Sequence, residues 1–224
     1  MPCNTRFMPD IVAMGGVPDD ALLDHVLGLA RGKRVLYVPT AGMEDPTYTV
    51  WWYERMRGRG EMTPLHFFPW PPENLRELAL AHDVILVTGG NTANAIAVWR
   101  AHGFDRILRE AWQAGVLLTG WSAGMICWFE HGVTDSFGPE LAPMDCLGLL
   151  PGSACPHYGG EERRRPVYTR LVADGFPAGI AADDDVALHY AGTELRSVFV
   201  SREGATAYRV GPDGEEPLET TLVT

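Results

Sequence analysis

Leu118-Thr119-Gly120-Trp121-Ser122-Ala123-Gly124-Met125 is the stretch on which the reading of this chain turns. The apolar run Gly115 to Thr119 reads as a buried strand, and the apolar run from Ala123 to Phe129 as a helix. Between them stands Gly120-Trp121-Ser122-Ala123-Gly124, a Gly-x-Ser-x-Gly corner. In so tight a turn from strand to helix only small neighbours fit, and the serine hydroxyl is lifted above the sheet edge. The helix that follows aims its first backbone N–H groups at the same point, where a developing oxyanion would be stabilised. A turn without chemistry can carry the same pattern, so the surrounding chain has to decide.

Upstream, Asp83 to Thr88 (Val84, Ile85, Leu86, Val87) is a continuous apolar strand, as a central position in a parallel sheet requires. It runs into Gly89-Gly90-Asn91-Thr92 and a helix through Ile96, Val98 and Trp99; Phe104 to Trp112 is a further helix. Nearer the start, Asp10 to Gly15 reads as a strand. Pro18-Asp19-Asp20 then opens a helix with Leu22, Leu23, Val26 and Leu29 on its apolar face, ending at Gly32. Arg34 to Pro39 is a strand closed by the loop Thr40-Ala41-Gly42, and Asp45-Pro46 begins a helix. Thr63 to Phe68 reads as a strand and Glu73 to Leu80 as a short helix. The aromatic group Trp51, Trp52, Tyr53, Phe67, Phe68 and Trp70 reads as core rather than as a binding face. Strands alternating with helices give an α/β fold with a doubly wound, mostly parallel sheet. Ligands of such sheets bind outside the carboxyl ends of the strands, where Gly42, Gly89-Gly90 and Ser122 all fall.

Beyond His131 the pattern changes to short apolar pieces broken by glycine and proline. A charged run, Glu161 to Arg165, leads into a helix through Leu171 and Val172. Strands are expected near Gly179 to Ala182, Val186 to His189, Arg196 to Val200 and Thr206 to Val210. The Gly192-Thr193 and Glu203-Gly204 turns suggest antiparallel hairpins at the sheet edge. No repeat, low-complexity segment or linker interrupts the chain, which reads as one domain over residues 1–224.

With 46% hydrophobic and 21% charged residues the chain is globular, and its net charge of −11 argues against nucleic acid as a partner. The four cysteines, Cys3, Cys127, Cys146 and Cys155, form neither a C-x-x-C pair nor a zinc pattern. A reduced, cytoplasmic protein without metal or cofactor is the simplest expectation. Met1 to Pro9 lacks a signal pattern, and no apolar run approaches the roughly 20 residues of a membrane span.

A serine hydroxyl needs a general base within hydrogen-bond reach. Of seven histidines, His25, His82 and His102 fall on the wrong side of the sheet, His66 in an edge strand, and His131 about two helical turns from Ser122. His157, in Cys155-Pro156-His157-Tyr158-Gly159-Gly160, follows a short strand, where a base can swing over the carboxyl edge. The third member should be a carboxylate that fixes the imidazole. Candidates are the run Asp183-Asp184-Asp185, Asp135, and Glu161-Glu162.

Thr88-Gly89-Gly90-Asn91-Thr92, Gly120-Trp121-Ser122-Ala123-Gly124, and Pro156-His157-Tyr158 with the acidic run downstream together resemble the peptidase S51 family, which includes aspartyl dipeptidase (peptidase E) and cyanophycinase. The resemblance covers essentially the whole chain. It implies a class I glutamine amidotransferase-like fold with serine in place of cysteine. It further implies Ser122 as nucleophile, His157 as base, and the backbone N–H groups of Gly90 and Ala123 as oxyanion hole. Gly89 and Asn91 would border the substrate. The acid falls at Asp184 first and Asp135 second, and Arg164 is the candidate for a substrate carboxylate. The expected protein is a cytoplasmic serine peptidase for short peptides, a dipeptidase with N-terminal aspartate as a candidate preference, working through an acyl-enzyme as monomer or homodimer. An amidase, esterase or cyanophycinase-like hydrolase, and a catalytically silent binding module, are the rivals.

Overall fold

A computed structural model describes residues 8–224; Cys3 lies outside the described residues. The amino-terminal part runs β1 (Asp10–Met14), α1 (Asp20–Gly28), β2 (Arg34–Val38), α2 (Pro46–Met56), β3 (Glu61–Pro64), α3 (Leu75–Leu80), β4 (Val84–Val87), α4 (Thr92–His102), α5 (Phe104–Ala114) and β5 (Leu117–Trp121). A single helical turn, α6 (Ala123–Ile126), leads into β6 (Phe129–Thr134), β7 (Ala142–Asp145), β8 (Leu150–Cys155), α7 (Arg164–Ala173) and β9 (Gly179–Ala182). The chain ends in β10 (Val186–Ala191), β11 (Glu194–Val200), β12 (Ala207–Gly211), β13 (Gly214–Pro217) and β14 (Thr221–Leu222).

Eight strands form the main sheet in the order β14-β11-β10-β1-β5-β4-β2-β3. The five from β1 to β3 are parallel, and β10 joins antiparallel to β1, with β11 antiparallel to β10. Alternation along each strand covers both faces. Val12, Met14, Val35, Tyr37, Val84 and Leu86 pack with α1 and α2. Ile11, Ala13, Leu36, Val38, Ile85 and Val87 pack with α3, α4 and α5. This is the doubly wound sheet expected from the sequence.

Helix starts follow the polar residues ahead of them. Asp19 caps α1 by accepting the Leu22 N–H at 2.9 Å, and Asp45 caps α2 by accepting that of Thr47 at 2.8 Å. Pro18 thus precedes the cap rather than entering the first turn, and α1 ends at Gly28, one turn before Gly32.

The carboxyl-terminal third builds a second sheet, in the order β13-β12-β9-β8-β6-β7. The four expected tail strands all form, but on two sheets. β10 and β11 make the Gly192 hairpin on the main sheet, whereas β9 and β12 pair with each other on the second. No hairpin forms across Glu203-Gly204, because the chain there crosses from one sheet to the other. The helix expected from Ala123 to Phe129 stops after one turn, because Phe129 already pairs with Leu150. Phe129, Leu150, Ala154 and Ile180 share one buried cluster with Ile11, Val87 and Leu118, so a common core joins the two sheets. The other face of the second sheet is covered by α7 through Tyr168 and Val172.

Candidate active site

The corner after β5 is shaped by close backbone approach. A Cβ on Gly120 would stand 2.5 Å from the Val87 carbonyl oxygen, and one on Gly124 2.4 Å from it. No side chain fits at either position. Ser122 between them sits at φ 56° and ψ −109°, a conformation an L-residue holds only where its surroundings impose it. Its backbone N–H is tied to Met14 O of β1 at 3.1 Å, and its carbonyl accepts from Met125 and Ile126. Among the described residues the Ser122 hydroxyl has no hydrogen-bond partner.

The Gly89-Gly90 loop, beyond β4, stands beside it. A Cβ on Gly89 would lie 3.2 Å from that of Ser122 and 2.9 Å from Trp121 Nε1. Gly90 has φ 129°, and a Cβ there would meet Ala41 O at 2.1 Å, so only glycine is accommodated. Among the described residues neither the Gly90 nor the Ala123 N–H donates to another group. Two donors are thereby left available next to one hydroxyl.

His157 follows β8, at φ 52°. Its loop is held by the Tyr158 N–H on Ala182 O at 3.0 Å and by Gly160 and Glu161 N–H groups on its own carbonyl. Its Nδ1 lies 2.6 Å from Asp184 Oδ1. This contact, against the opposing effect of burial, holds the Asp184 carboxyl below the usual carboxylate range. An ionised Asp184 can only accept, so in the neutral ring the tautomer it selects has the proton on Nδ1 and the lone pair on Nε2.

Contacts along the rim connect the two halves. Ser122 is bonded to Met14; two residues on, a Cβ on Gly16 would lie 2.1 Å from Asp184 Oδ1. Asp184 in turn holds His157. The aspartate run resolves into three separate partners. Asp183 accepts the Thr206 N–H at 3.2 Å and is pushed up chiefly by burial, Asp184 serves His157, and Asp185 receives Arg202 Nε at 2.8 Å.

The remaining candidates lie apart from this arrangement or are already occupied. Asp135, after β6, is exposed, and its carboxylate contacts neither His157 nor Ser122. Asn91 caps α4 through Asn94 N at 2.9 Å and donates to Ser136 O at 2.9 Å, fixing the Gly89-Gly90 loop to the segment after β6. Arg164 is buried, with Nε on Glu161 at 2.7 Å and Nη1 on Val133 O at 3.1 Å. It locks α7 to β6 instead of extending into solvent. His131 lies on β6 with Asp145, and His66, expected within an edge strand, lies after β3 with Glu44. The described residues include no group of three or more His, Cys, Asp or Glu able to hold a metal ion, and no helix long and apolar enough to cross a membrane.

The description of peptidase family S51 matches residues 16–198. This chain belongs to peptidase family S51. The uncharacterized peptidase YgaJ of Bacillus subtilis strain 168 is 44% identical over 226 residues, covering 96% of this chain and 97% of that protein. Peptidase E of Shewanella denitrificans is 30% identical, covering 83% and 82% of the two chains. Among solved structures, a peptidase from an acI-B1 actinobacterium matches the fold with TM-score 0.68 at 18% identity, over 97% and 96% of the two chains. A putative peptidase E protein from Listeria monocytogenes EGD-e matches with TM-score 0.62 at 21% identity, over 84% and 97%.

In this S51 chain three contributors escaped the reading of the sequence. Gly16 admits the Asp184 carboxylate, the Ala41 carbonyl cradles Gly90, and Ser136 anchors Asn91. The first two announced themselves only as small residues at the ends of strands; Ser136 gave no signal.

Proposed function

We propose that this chain is a serine peptidase that cleaves short peptides, a dipeptidase in the first instance, through an acyl-enzyme. The 2.6 Å contact of His157 Nδ1 with Asp184, on the rim that carries Ser122 in its constrained corner, is the observation that carries the reading. His157 Nε2 takes the Ser122 proton as Oγ attacks the scissile carbonyl carbon. Negative charge then develops on the carbonyl oxygen, where the Gly90 and Ala123 N–H groups donate to it. As the tetrahedral intermediate collapses, the C–N bond breaks and His157 returns the proton to the leaving amine. Water repeats the sequence on the ester and frees Ser122. Asp184 stabilises the imidazolium throughout without taking its proton. Catalytic hydrogen bonds commonly close only once substrate is bound, which accommodates a Ser122 hydroxyl without a partner in the free chain.

A cytoplasmic setting fits the buried free thiols Cys127, Cys146 and Cys155. An acidic side chain has less support, because the Arg164 guanidinium is already engaged by Glu161 and Val133. Ser122→Ala should lower peptide hydrolysis by about 10⁴-fold or more with little change in thermal unfolding. Retained activity would reject the assignment. A fluorophosphonate probe should label Ser122 in the parent chain, and failure to label would favour the silent binding module.

A further inference from the structure

Among the described residues, five of the nine exposed large apolar side chains follow the carboxyl ends of strands; Val50, Trp51 and Tyr53 lie on α2 and Leu222 on β14. Met43 is 83% exposed, Trp70 77%, Phe137 67% and Phe68 62%; Val17, after β1, is 42% exposed. Met43 follows β2, Phe68 and Trp70 follow β3, and Phe137 follows β6. Backbone contacts draw these loops together. Ala41 O accepts the Asn91 N–H at 2.8 Å, and Asn91 Nδ2 donates to Ser136 O, next to Phe137. The same Ala41 carbonyl presses on Gly90, so Met43 stands two residues from the wall of the oxyanion site.

The presentation is rigid. The Glu44 carboxylate, only 7% exposed, accepts the Phe67 N–H at 2.6 Å and the Phe68 N–H at 3.3 Å, with His66 Nδ1 at 3.2 Å. Met43 and Glu44 both hold positive φ, 60° and 55°, which requires fixed surroundings. Glu44 therefore binds the loop of Phe68 to the loop of Met43. Exposed apolar surface costs free energy and is kept where a ligand covers it.

We propose that this rim is the receptor for an apolar or aromatic side chain of the peptide substrate, which makes the enzyme one for apolar rather than acidic short peptides. The inference rests on the peptidase reading of Ser122 and names its substrate class. Charge supports the choice. Glu44, Asp135 and Glu140 on these loops are acidic, Arg163 lies against Pro139 O and Glu140, and Arg164 is buried with Glu161. An aspartyl side chain would meet the exposed carboxylates of Asp135 and Glu140 there, and an apolar one carries no charge for them to oppose.

The test is a dipeptide panel assayed with the parent chain, Phe68→Ser/Trp70→Ser, and Leu222→Ser, which removes an exposed apolar side chain from the far edge of the main sheet. Peptides with Phe or Leu should exceed their Asp counterparts in kcat/KM by about tenfold or more. The double variant should lose about tenfold on Phe peptides, through KM, while its rate on Ala-Ala stays within about twofold. Leu222→Ser should match the parent. Preference for Asp peptides, or an unchanged Phe-to-Ala ratio in the double variant, would overturn the apolar receptor while leaving the serine mechanism standing. A dimer that the double variant dissociates, with that ratio unchanged, would assign the rim to a second copy and overturn it likewise. Absence of both fluorophosphonate labelling and peptide cleavage would remove the hydrolytic reading and the substrate class with it.

Discussion

The two sides of the candidate site are made differently. The nucleophile side is backbone pressed on backbone: Gly120 and Gly124 against Val87, Gly90 against Ala41, all at the ends of neighbouring parallel strands. The base side is assembled from distant pieces. His157 comes from the end of β8 in the second sheet, Asp184 from the crossing between β9 and β10, and Gly16 from the end of β1. One side is fixed by steric exclusion between the backbones of adjacent parallel strands, the other by a side-chain contact between segments of the two sheets. The nucleophile side should therefore fail by distortion when changed, and the base side by loss of a proton path in a fold that stays intact.

Three measurements bear on that contrast. The largest effect is expected on the base side: Asp184→Asn should lower kcat by roughly 10³–10⁴-fold, because an amide in place of the acceptor favours the wrong imidazole tautomer. Asp135→Asn should change it by less than about twofold, since Asp135 is exposed and touches neither partner. Equal losses in the two variants would abolish the distinction drawn between these acids. On the nucleophile side, Gly90→Ala should cost about 10²–10³-fold in kcat by displacing one oxyanion donor. It should also lower unfolding stability by about 1–3 kcal/mol, because φ 129° and the Ala41 oxygen both oppose a Cβ. A variant as stable as the parent would show the corner to be looser than its contacts indicate.

The smallest effect concerns pH. Hydrogen bonding to His157 lowers the Asp184 pKa on folding, so the ionised carboxylate is favoured in the folded chain. Its contribution to stability is present above the unfolded value of about 4 and is lost as pH falls through the folded one. The difference in unfolding free energy between parent and Asp184→Asn should follow this course and stay within about 1 kcal/mol, since the side chain is 41% exposed. A difference that grew on acidification would contradict the direction of the shift.

The same contrast explains what the sequence disclosed. Continuous apolar strands such as Val84 to Val87, with glycine at their ends, are signals within a few residues, and the parallel sheet and the Ser122 corner were legible from them. The second sheet was not. β7 contains Pro143 and β8 contains Pro151 and Gly152, which break the continuous apolar run by which a buried strand is read. The run from Met125 to Phe129 is buried whether it coils or extends, so periodicity could not end the helix. The aromatic group divided: Trp52 and Phe67 are core, while Trp51, Tyr53, Phe68 and Trp70 reach the surface. Composition counts rings without saying which way they face. Arg164, read at a charged helix start, is buried because a carbonyl on another strand, Val133 O, receives it.

The three consecutive aspartates, each held by a different partner, act as a rivet that fastens the His157 imidazole to the seam between the sheets. A change at that seam bears directly on the His157 ring, which Asp184 holds. On the proposed mechanism, the residue that orients the base thus sits in the same tripeptide that ties the crossing between the sheets to its surroundings.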